Sequence, residues 1–355
     1  MGAFHDPAAL RAAIAAELDP ARVPGAVVAR WQADDQAISV LAIGSDADGV
    51  ALHPDSLFPV ASISKLATAL AVLRLADQGV LAVADPLAAH LPDAAAARAD
   101  IRIRDLLCHT AGMPIDLPRE EAPYALGLDW PTLAHACLHC FPVRAAGEIV
   151  QYSNVGYGLL GILVEQLTNQ PFAEALDHLV LTPLGIEATL GSEPPRPPAR
   201  LADVRGRHAG TDLEPFNSPF WRSLAMPWGG LVTTASGAVQ LVRAFLGMPN
   251  GFLQPATRAQ AIASQTGSLA GGFVPPLFWD SCPWGLGPDI RGAKQPHWAP
   301  AIAPTSFGHS GASGCLAWAD PTTATAWAIL GARAADNGWL VRRGPAISQV
   351  LLAAA

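Results

Sequence analysis

Residues 314–332, GCLAWADPTTATAWAILGA, form two apolar runs joined by the turn ADPTT, the pattern of a β-hairpin. The run opens from a Gly-rich entry, FGHSGASG, and is followed by a final helical stretch, VRRGPAISQVLLAAA. The opposite end of the chain offers a counterpart. Residues 24–31 (PGAVVARW) and 38–44 (ISVLAIG) are short β-like runs separated by the polar WQADDQA, a second hairpin. Between these ends the chain is mainly helical. PVASISKLATALAVLRLADQG has apolar residues at helical spacing and a Gly stop, and LAHACLHCF and LLGILVEQLT are the clearest helices of the middle. After Gly229, GGLVTT restores β character and leads into a helix, ASGAVQLVRAFLG. Terminal strands bracketing a helical middle predict an α/β fold, an antiparallel sheet flanked by helices and built from both chain ends, with an all-helical insertion. The division expected is 1–80 plus 226–355 for the α/β domain and 81–225 for the mainly helical domain, with a site between them.

Composition narrows the function. At roughly 150 residues per domain, 355 residues suggest two structural units. With 51% hydrophobic and 15% charged residues the chain is not disordered and has ample apolar material for a core. Its net charge is −8, from 22 basic against 30 acidic residues, and it has no basic run, so nucleic acid is not an expected partner. No apolar run approaches the roughly 20 residues of a membrane span, and the best one, Leu66 to Leu75, is interrupted by Arg74. The start, MGAFHDPAALRAAIAAELDP, places His5, Asp6 and Arg11 where a signal peptide needs a basic end and an apolar block, so the chain reads as cytoplasmic. Five scattered cysteines (Cys108, Cys137, Cys140, Cys282, Cys315) suit reduced thiols. Arg outnumbers Lys twenty to two, and the two lysines, Lys65 and Lys294, mark places where a side chain able to lose its proton is wanted.

Ser62 and Lys65 form S-x-x-K at the start of a helix, with both side chains on one face. The helix start adds positive potential and free N–H groups beside Ser62. An amine there, its pKa lowered by burial and positive surroundings, takes the serine proton. Tyr152-Ser153-Asn154 lies in an extended segment, where residues two apart face the same side. A phenol and an amide then project together: the phenol relays protons, its pKa lowered by a nearby ammonium, and the amide orients a substrate carbonyl or Lys65. His309-Ser310-Gly311 sits at a Gly-rich entry to a strand, where small residues admit a substrate and backbone N–H groups can form an oxyanion hole. H-x-G is a weak pattern, since His208-Ala209-Gly210 matches it too.

The ordered set S-x-x-K, Y-x-N, H-x-G resembles the serine β-lactamase-like superfamily, especially class C β-lactamases, serine DD-carboxypeptidases, family VIII carboxylesterases, D-amino-acid amidases and related acyltransferases. Class A relatives carry S-x-x-K, S-D-N and K-T-G. The resemblance covers most of the chain, through LFPVASISKL, IRIRDLLCHTAGMP, YSNVGYGLLG, LTPLGIEATLG, MPWGGLVTTASG, WGLG and GHSGASG. It implies a β-lactamase/transpeptidase-like fold and a cofactor-independent, metal-free enzyme with Ser62 as acyl-accepting nucleophile. Lys65 and Tyr152 would share general-base and general-acid duty, and the amides of Ser62 and Ala312 would form the oxyanion hole beside Gly311. Asn154 would contact the acyl amide or Lys65. His309 would stand where relatives carry a lysine, which lowers the fixed positive charge facing a substrate carboxylate and favours the peptidase and esterase branches over a class C β-lactamase. The expected partner is a small-molecule ester or amide, cleaved through an acyl-Ser62 intermediate. The alternatives are an acyltransferase of secondary metabolism using the same intermediate, and a catalytically silent binding protein on the same fold.

Other signals carry less. Gly156 to Gly161 matches G-x-G-x-x-G but lacks the strand that a dinucleotide site needs, so close helix packing is expected. His135 and His139 share a helix face with Cys137 and Cys140 nearby, which reads as a packed helix rather than a metal site. The tryptophans concentrate late, and Trp228 and Trp279 are expected to line an acyl pocket for apolar or aromatic groups. Arg222, Arg243 and Arg291 are candidate carboxylate ligands among which the sequence does not choose.

Overall fold

The computed structural model describes residues 4–19, 22–118, 127–191, 201–206 and 216–354. His208–Gly210 lies outside them. Both ends of the chain meet in a six-stranded antiparallel sheet. Its strands are β1 (Gly25–Gln32), β2 (Ser39–Gly44), β3 (Asp289–Ile290), β4 (Phe307–Gly311), β5 (Cys315–Asp320) and β6 (Thr325–Gly331), in the order β2-β1-β6-β5-β4-β3. The C-terminal hairpin pairs Cys315 with Leu330 and Asp320 with Thr325, and β6 then pairs with β1 from Ala26↔Gly331 to Gln32↔Thr325.

Every residue of β5 and β6 is buried, and the alternation of pleat sides sorts them by size. Ala317, Ala319, Ala326 and Ala328 face the core that also holds helix α2 (Ser64–Asp77), whereas Trp318 and Trp327 face the other side. The small residues let a helix, Ala235–Leu246, approach the sheet closely, and the tryptophans fill the layer beneath the paired terminal helices Pro7–Leu18 and Trp339–Ala353. The helix 235–246 is bounded by a Thr234 side-chain cap and by Gly247 at φ +91. Helix α2 is apolar nearly all round and buried nearly throughout, as a helix between two layers must be.

One continuous apolar cluster runs from this sheet face through α2 into the helices of the middle segment, chiefly Trp130–His139 and Asn154–Thr168. That middle also holds short strands, a detail absent from the sequence expectation. Ala188–Thr189 joins Phe58–Pro59 and Val232–Thr233 in a small sheet, so GGLVTT does not enter the large one. Val150–Gln151 pairs in parallel with Gly271–Gly272, part of a hairpin closed by Phe278–Trp279.

The glycines of the G-x-G-x-x-G match lie inside helix Asn154–Thr168. A Cβ on Gly158 would sit 2.5 Å from Cys137 Sγ, and one on Gly161 would sit 2.3 Å from Pro227 Cγ, so this run serves helix packing. His135 and His139 stack with centroids 4.1 Å apart, and among the described residues no group of three His, Cys, Asp or Glu converges on a metal position. All five cysteines are buried thiols, and no described helix is long and apolar enough to cross a membrane.

Candidate active site

Ser62 lies in a single 3-10 turn, Ala61–Ile63, immediately before α2. In a 3-10 turn, side chains three apart eclipse, which brings Ser62 over Lys65 more directly than an α-helical start would. Ala61 holds a left-handed backbone, φ +46, a conformation that costs a non-glycine residue energy and needs support from its surroundings. That support comes from the Ser64 hydroxyl donating to Ala61 O (2.6 Å) and from Val60 N–H donating to Leu231 O (3.0 Å). The strand end packs here as well: a Cβ on Gly311 would lie 2.3 Å from Val60 O. Only glycine therefore lets β4, and Ala312 after it, reach the turn that carries Ser62.

The segment 226–231 is pinned along α2. Leu231 N–H donates to Ser64 Oγ (3.0 Å), and the Thr68 hydroxyl donates to Pro227 O (2.6 Å). This aims the Trp228 carbonyl at Lys65 Nζ, 2.9 Å away. Trp228 thus reaches the site by its backbone; its indole packs against Trp130, centroids 6.0 Å apart.

Lys65 is wholly buried, and its amine touches three groups. Besides Trp228 O these are Asn154 Oδ1 at 2.7 Å and Ser62 Oγ at 3.3 Å. Burial lowers its pKa well below the usual lysine value, and the Asp116 carboxylate opposes that shift. The expected positive surroundings are therefore not the cause; burial is. A neutral amine has two N–H bonds and one lone pair. In that neutral form, which burial favours, Trp228 O and Asn154 Oδ1, which can only accept, take the two hydrogens and leave the lone pair to face the Ser62 hydroxyl.

Tyr152 and Asn154 do share a side. The backbone is extended through Ser153 (φ −142, ψ 128), whose Oγ caps the following helix by accepting from Gly156 N–H (2.9 Å). Lys65 Nζ lies 4.7 Å from the centre of the Tyr152 ring. The phenol's pKa is raised by burial, only partly offset by the Ser62 side chain, so the sequence expectation of a lowered value is reversed. Tyr152 Oη is near enough to feel Ser62 yet falls short of hydrogen-bond geometry with any described group.

His309, on β4, donates from Nδ1 to Ser310 O (2.6 Å), which leaves the Nε2 lone pair buried and without a partner among the described residues. Burial first, then Lys65, lowers its pKa to about 4, so the ring is neutral at pH 7. A second imidazole, His109, was visible in the sequence only as part of LLCHTAGMP. Its Nδ1 accepts from Ser153 N–H (3.1 Å), so Nε2 carries the ring proton and has no partner among the described residues. His109 lies 4.7 Å from the Tyr152 ring and 4.8 Å from Trp284, and its own pKa is lowered well below 6.5 by burial and then by Lys65. His109, Tyr152 and His309 all border Trp284.

Behind Trp284 the other lysine is buried too. Lys294 donates to Asp289 Oδ1 and to Pro283 O (2.8 Å), and His297 Nε2 meets Asp289 Oδ2 at 3.0 Å. Lys294 Nζ sits 5.1 Å from the Trp284 ring and 5.2 Å from the Trp279 ring. Trp279 belongs to this second cluster, its Nε1 donating to Pro296 O (3.1 Å), and it also meets Phe273 edge-on with centroids 6.4 Å apart. Of the candidate carboxylate ligands, Arg243 stacks over Trp31 at 4.1 Å and Arg291 donates to the carbonyls of Pro300 and Lys294, while Arg222 donates to Asn217 O.

Comparison with known proteins matches this arrangement to one family. The family model Beta-lactamase fits residues 10–351. Penicillin-binding protein 4 of Amycolatopsis lactamdurans is 31% identical over 253 residues, covering 68% of this chain and 64% of that protein, so the match spans slightly less than two thirds of the relative's own length. Among solved structures, a penicillin-binding protein homologue from Caulobacter crescentus superposes with TM-score 0.76 at 22% identity, covering 100% of this chain and 99% of the other. EstCE1, described as a hydrolase with promiscuous acyltransferase activity, superposes with TM-score 0.75 at 20% identity over 95% of this chain and 98% of its own. At such identities the superpositions establish a common fold. With a family model spanning nearly the whole sequence, the chain belongs to the Beta-lactamase family.

Proposed function

We propose that this protein is a serine hydrolase that cleaves an ester or amide of a small acyl compound through an acyl-Ser62 intermediate. The observation that carries the reading is the amine of Lys65, buried and shifted towards its neutral form, with two hydrogens fixed on acceptors and its third direction open to Ser62 Oγ. In this reading the lone pair of Lys65 takes the Ser62 proton as Oγ bonds to the substrate carbonyl carbon. The backbone N–H groups of Ser62 and Ala312 hold the resulting oxyanion, which requires Gly311 to lie against Val60. Collapse of the tetrahedral adduct breaks the bond to the leaving group, which departs with the proton of Tyr152. That phenol is kept protonated by burial and recovers its proton from Lys65. Water, or an alcohol or amine, then attacks the acyl carbon with its proton passing back through the same two groups, and Ser62 is released.

Asn154 orients Lys65, and neutral His309 presents an acceptor to the substrate without placing a cation there. A neutral third position disfavours substrates bound by a carboxylate and supports an esterase or amidase over a β-lactamase. We place the reactive cleft between an α/β unit of residues 1–80 and 226–355 and a mainly helical unit of residues 81–225. Acyl transfer is the second reading, favoured by the fold shared with EstCE1. The test is intact-protein mass spectrometry after exposure to a fluorophosphonate, with Ser62→Ala in parallel. One adduct that vanishes in the variant is the expected result; a well-folded wild type that forms none, or an adduct that survives the substitution, overturns the mechanism.

A further inference from the structure

The described surface exposes seven large hydrophobic side chains, and five of them stand on three neighbouring loops: Ile115, Phe141, Val143, Val274 and Phe278. These loops are tied to the short strand that leads into Tyr152. Val143 N–H donates to Gly112 O (2.9 Å), the Gln151 amide donates to Met113 O (2.9 Å), and Asn154 N–H donates to Ile115 O (2.8 Å). On the other flank, Tyr152 N–H donates to Gly272 O (3.0 Å), at the base of the hairpin 271–279. A Gly272 Cβ would lie 2.4 Å from Leu277 O, so the hairpin is drawn tight there. Phe273 stacks on the Tyr152 ring with centroids 4.3 Å apart, and beyond it Val274 is 59% and Phe278 45% exposed. Phe273, itself partly buried, thus links the phenol to the exposed Val274 that follows it in the chain. An exposed apolar patch that adjoins a reactive group marks a ligand surface rather than a random scatter of hydrophobes.

We propose that this hairpin, with the Ile115 loop across the Tyr152 strand from it, is a subsite for an extended apolar leaving group, and equally for an apolar alcohol or amine that accepts the acyl group. The assignment rests on the hydrolase reading above. It takes the leaving-group side because Tyr152, the proton donor to the leaving atom in that reading, is the residue on which Phe273 stacks. The reverse direction uses the same surface: the acceptor oxygen or nitrogen bonds to the acyl carbon, its proton goes to Tyr152 and Lys65, and the bond to Ser62 Oγ breaks. The substrate class is therefore an ester or amide of a chain alcohol or amine, not of a short polar one.

The experiment measures kcat/KM for two ester series, one with a fixed short acid and alcohols of increasing chain length, the other with a fixed short alcohol and acids of increasing length. For wild type, each methylene added to the alcohol is expected to raise kcat/KM about twofold, below the roughly fourfold that full burial of a CH2 gives. The acid series should be nearly flat. In Val274→Ser/Phe278→Ser, whose positions are too exposed to endanger the fold, the alcohol slope should flatten while the melting temperature stays put. Turnover with a steep acid series and a flat alcohol series overturns the assignment, as does a double variant that keeps the wild-type slope. A flat alcohol series together with concentration-dependent dimerisation gives the rim to a second copy of the chain instead. If wild type turns over no ester and Ser62 takes no fluorophosphonate, the hydrolase reading itself falls and the subsite with it.

Discussion

His309 offers a quantitative test of how dry the site is. Its imidazole is 1% exposed, and its pKa falls from 6.5 to about 4. The unfolded chain takes up the proton near pH 6.5, whereas the folded protein resists it until about pH 4, so between those values the unfolded state binds more protons. Stability conferred by the neutral ring is complete above pH 6.5, declines as the pH falls through this window, and levels off below about 4. At about 1.4 kcal/mol per pH unit the loss amounts to roughly 3 kcal/mol. His309→Asn removes the titrating group and keeps a small polar side chain. Urea unfolding of both proteins between pH 7 and pH 4 isolates the contribution of His309 together with its coupling to His109, because His297, also lowered by burial, is present in both and cancels. The expected result is a wild-type curve that descends about 3 kcal/mol further than the variant's. Parallel curves would refute the reasoning, since they would mean that water reaches Nε2 and the ring titrates normally in the fold.

Two other substitutions separate catalysis from stability. Lys65→Met should abolish acylation of Ser62 yet raise the unfolding free energy at pH 7, because the wild-type fold must hold a buried amine that water would rather keep charged; paired fluorophosphonate labelling and urea unfolding check both halves. Asp289→Asn leaves Lys294 and His297 without their shared carboxylate and should destabilise by about 3–5 kcal/mol, the cost of stranding a buried charge, read by the same unfolding assay.

The hairpins and the S-x-x-K and Y-x-N motifs were legible because their signals are local. Turn residues punctuate 314–332, and spacings of three and two fix which side chains can meet. What the sequence hid depends on contacts far apart in the chain. Trp228 was visible as an aromatic near the right place, but its carbonyl, aimed by Thr68 and Ser64 on a helix some 160 residues earlier, is what meets Lys65. The direction of the Tyr152 shift is hidden for a related reason: the proximity of a lysine is readable, whereas the burial that raises the phenol's pKa is a property of the whole layer. Lys294 did leave a trace. In a chain with twenty arginines, a second lysine was an anomaly, and it proved to be as buried as the first. Its partners Asp289 and His297 lie five residues before it and three after it, but nothing in that polar, proline-rich stretch distinguishes a buried triad from a solvated loop.

The pairing of β1 with β6 also governs the order in which the molecule can assemble. Ala26 meets Gly331, and the Ser62 turn leans on Gly311, so the central contacts span most of the chain. Such a fold has a high contact order, and its closure entropy must be met before the sheet rewards it. On the ribosome, Ser62 and Lys65 emerge some 250 residues before the strand that supports their turn, an interval of about 10–50 s at ordinary elongation rates. Until then the apolar β1 hairpin and helix α2 have no sheet to join, and they are the segments on which a chaperone would act. Ser62 is thus made well before the strand that completes its surroundings.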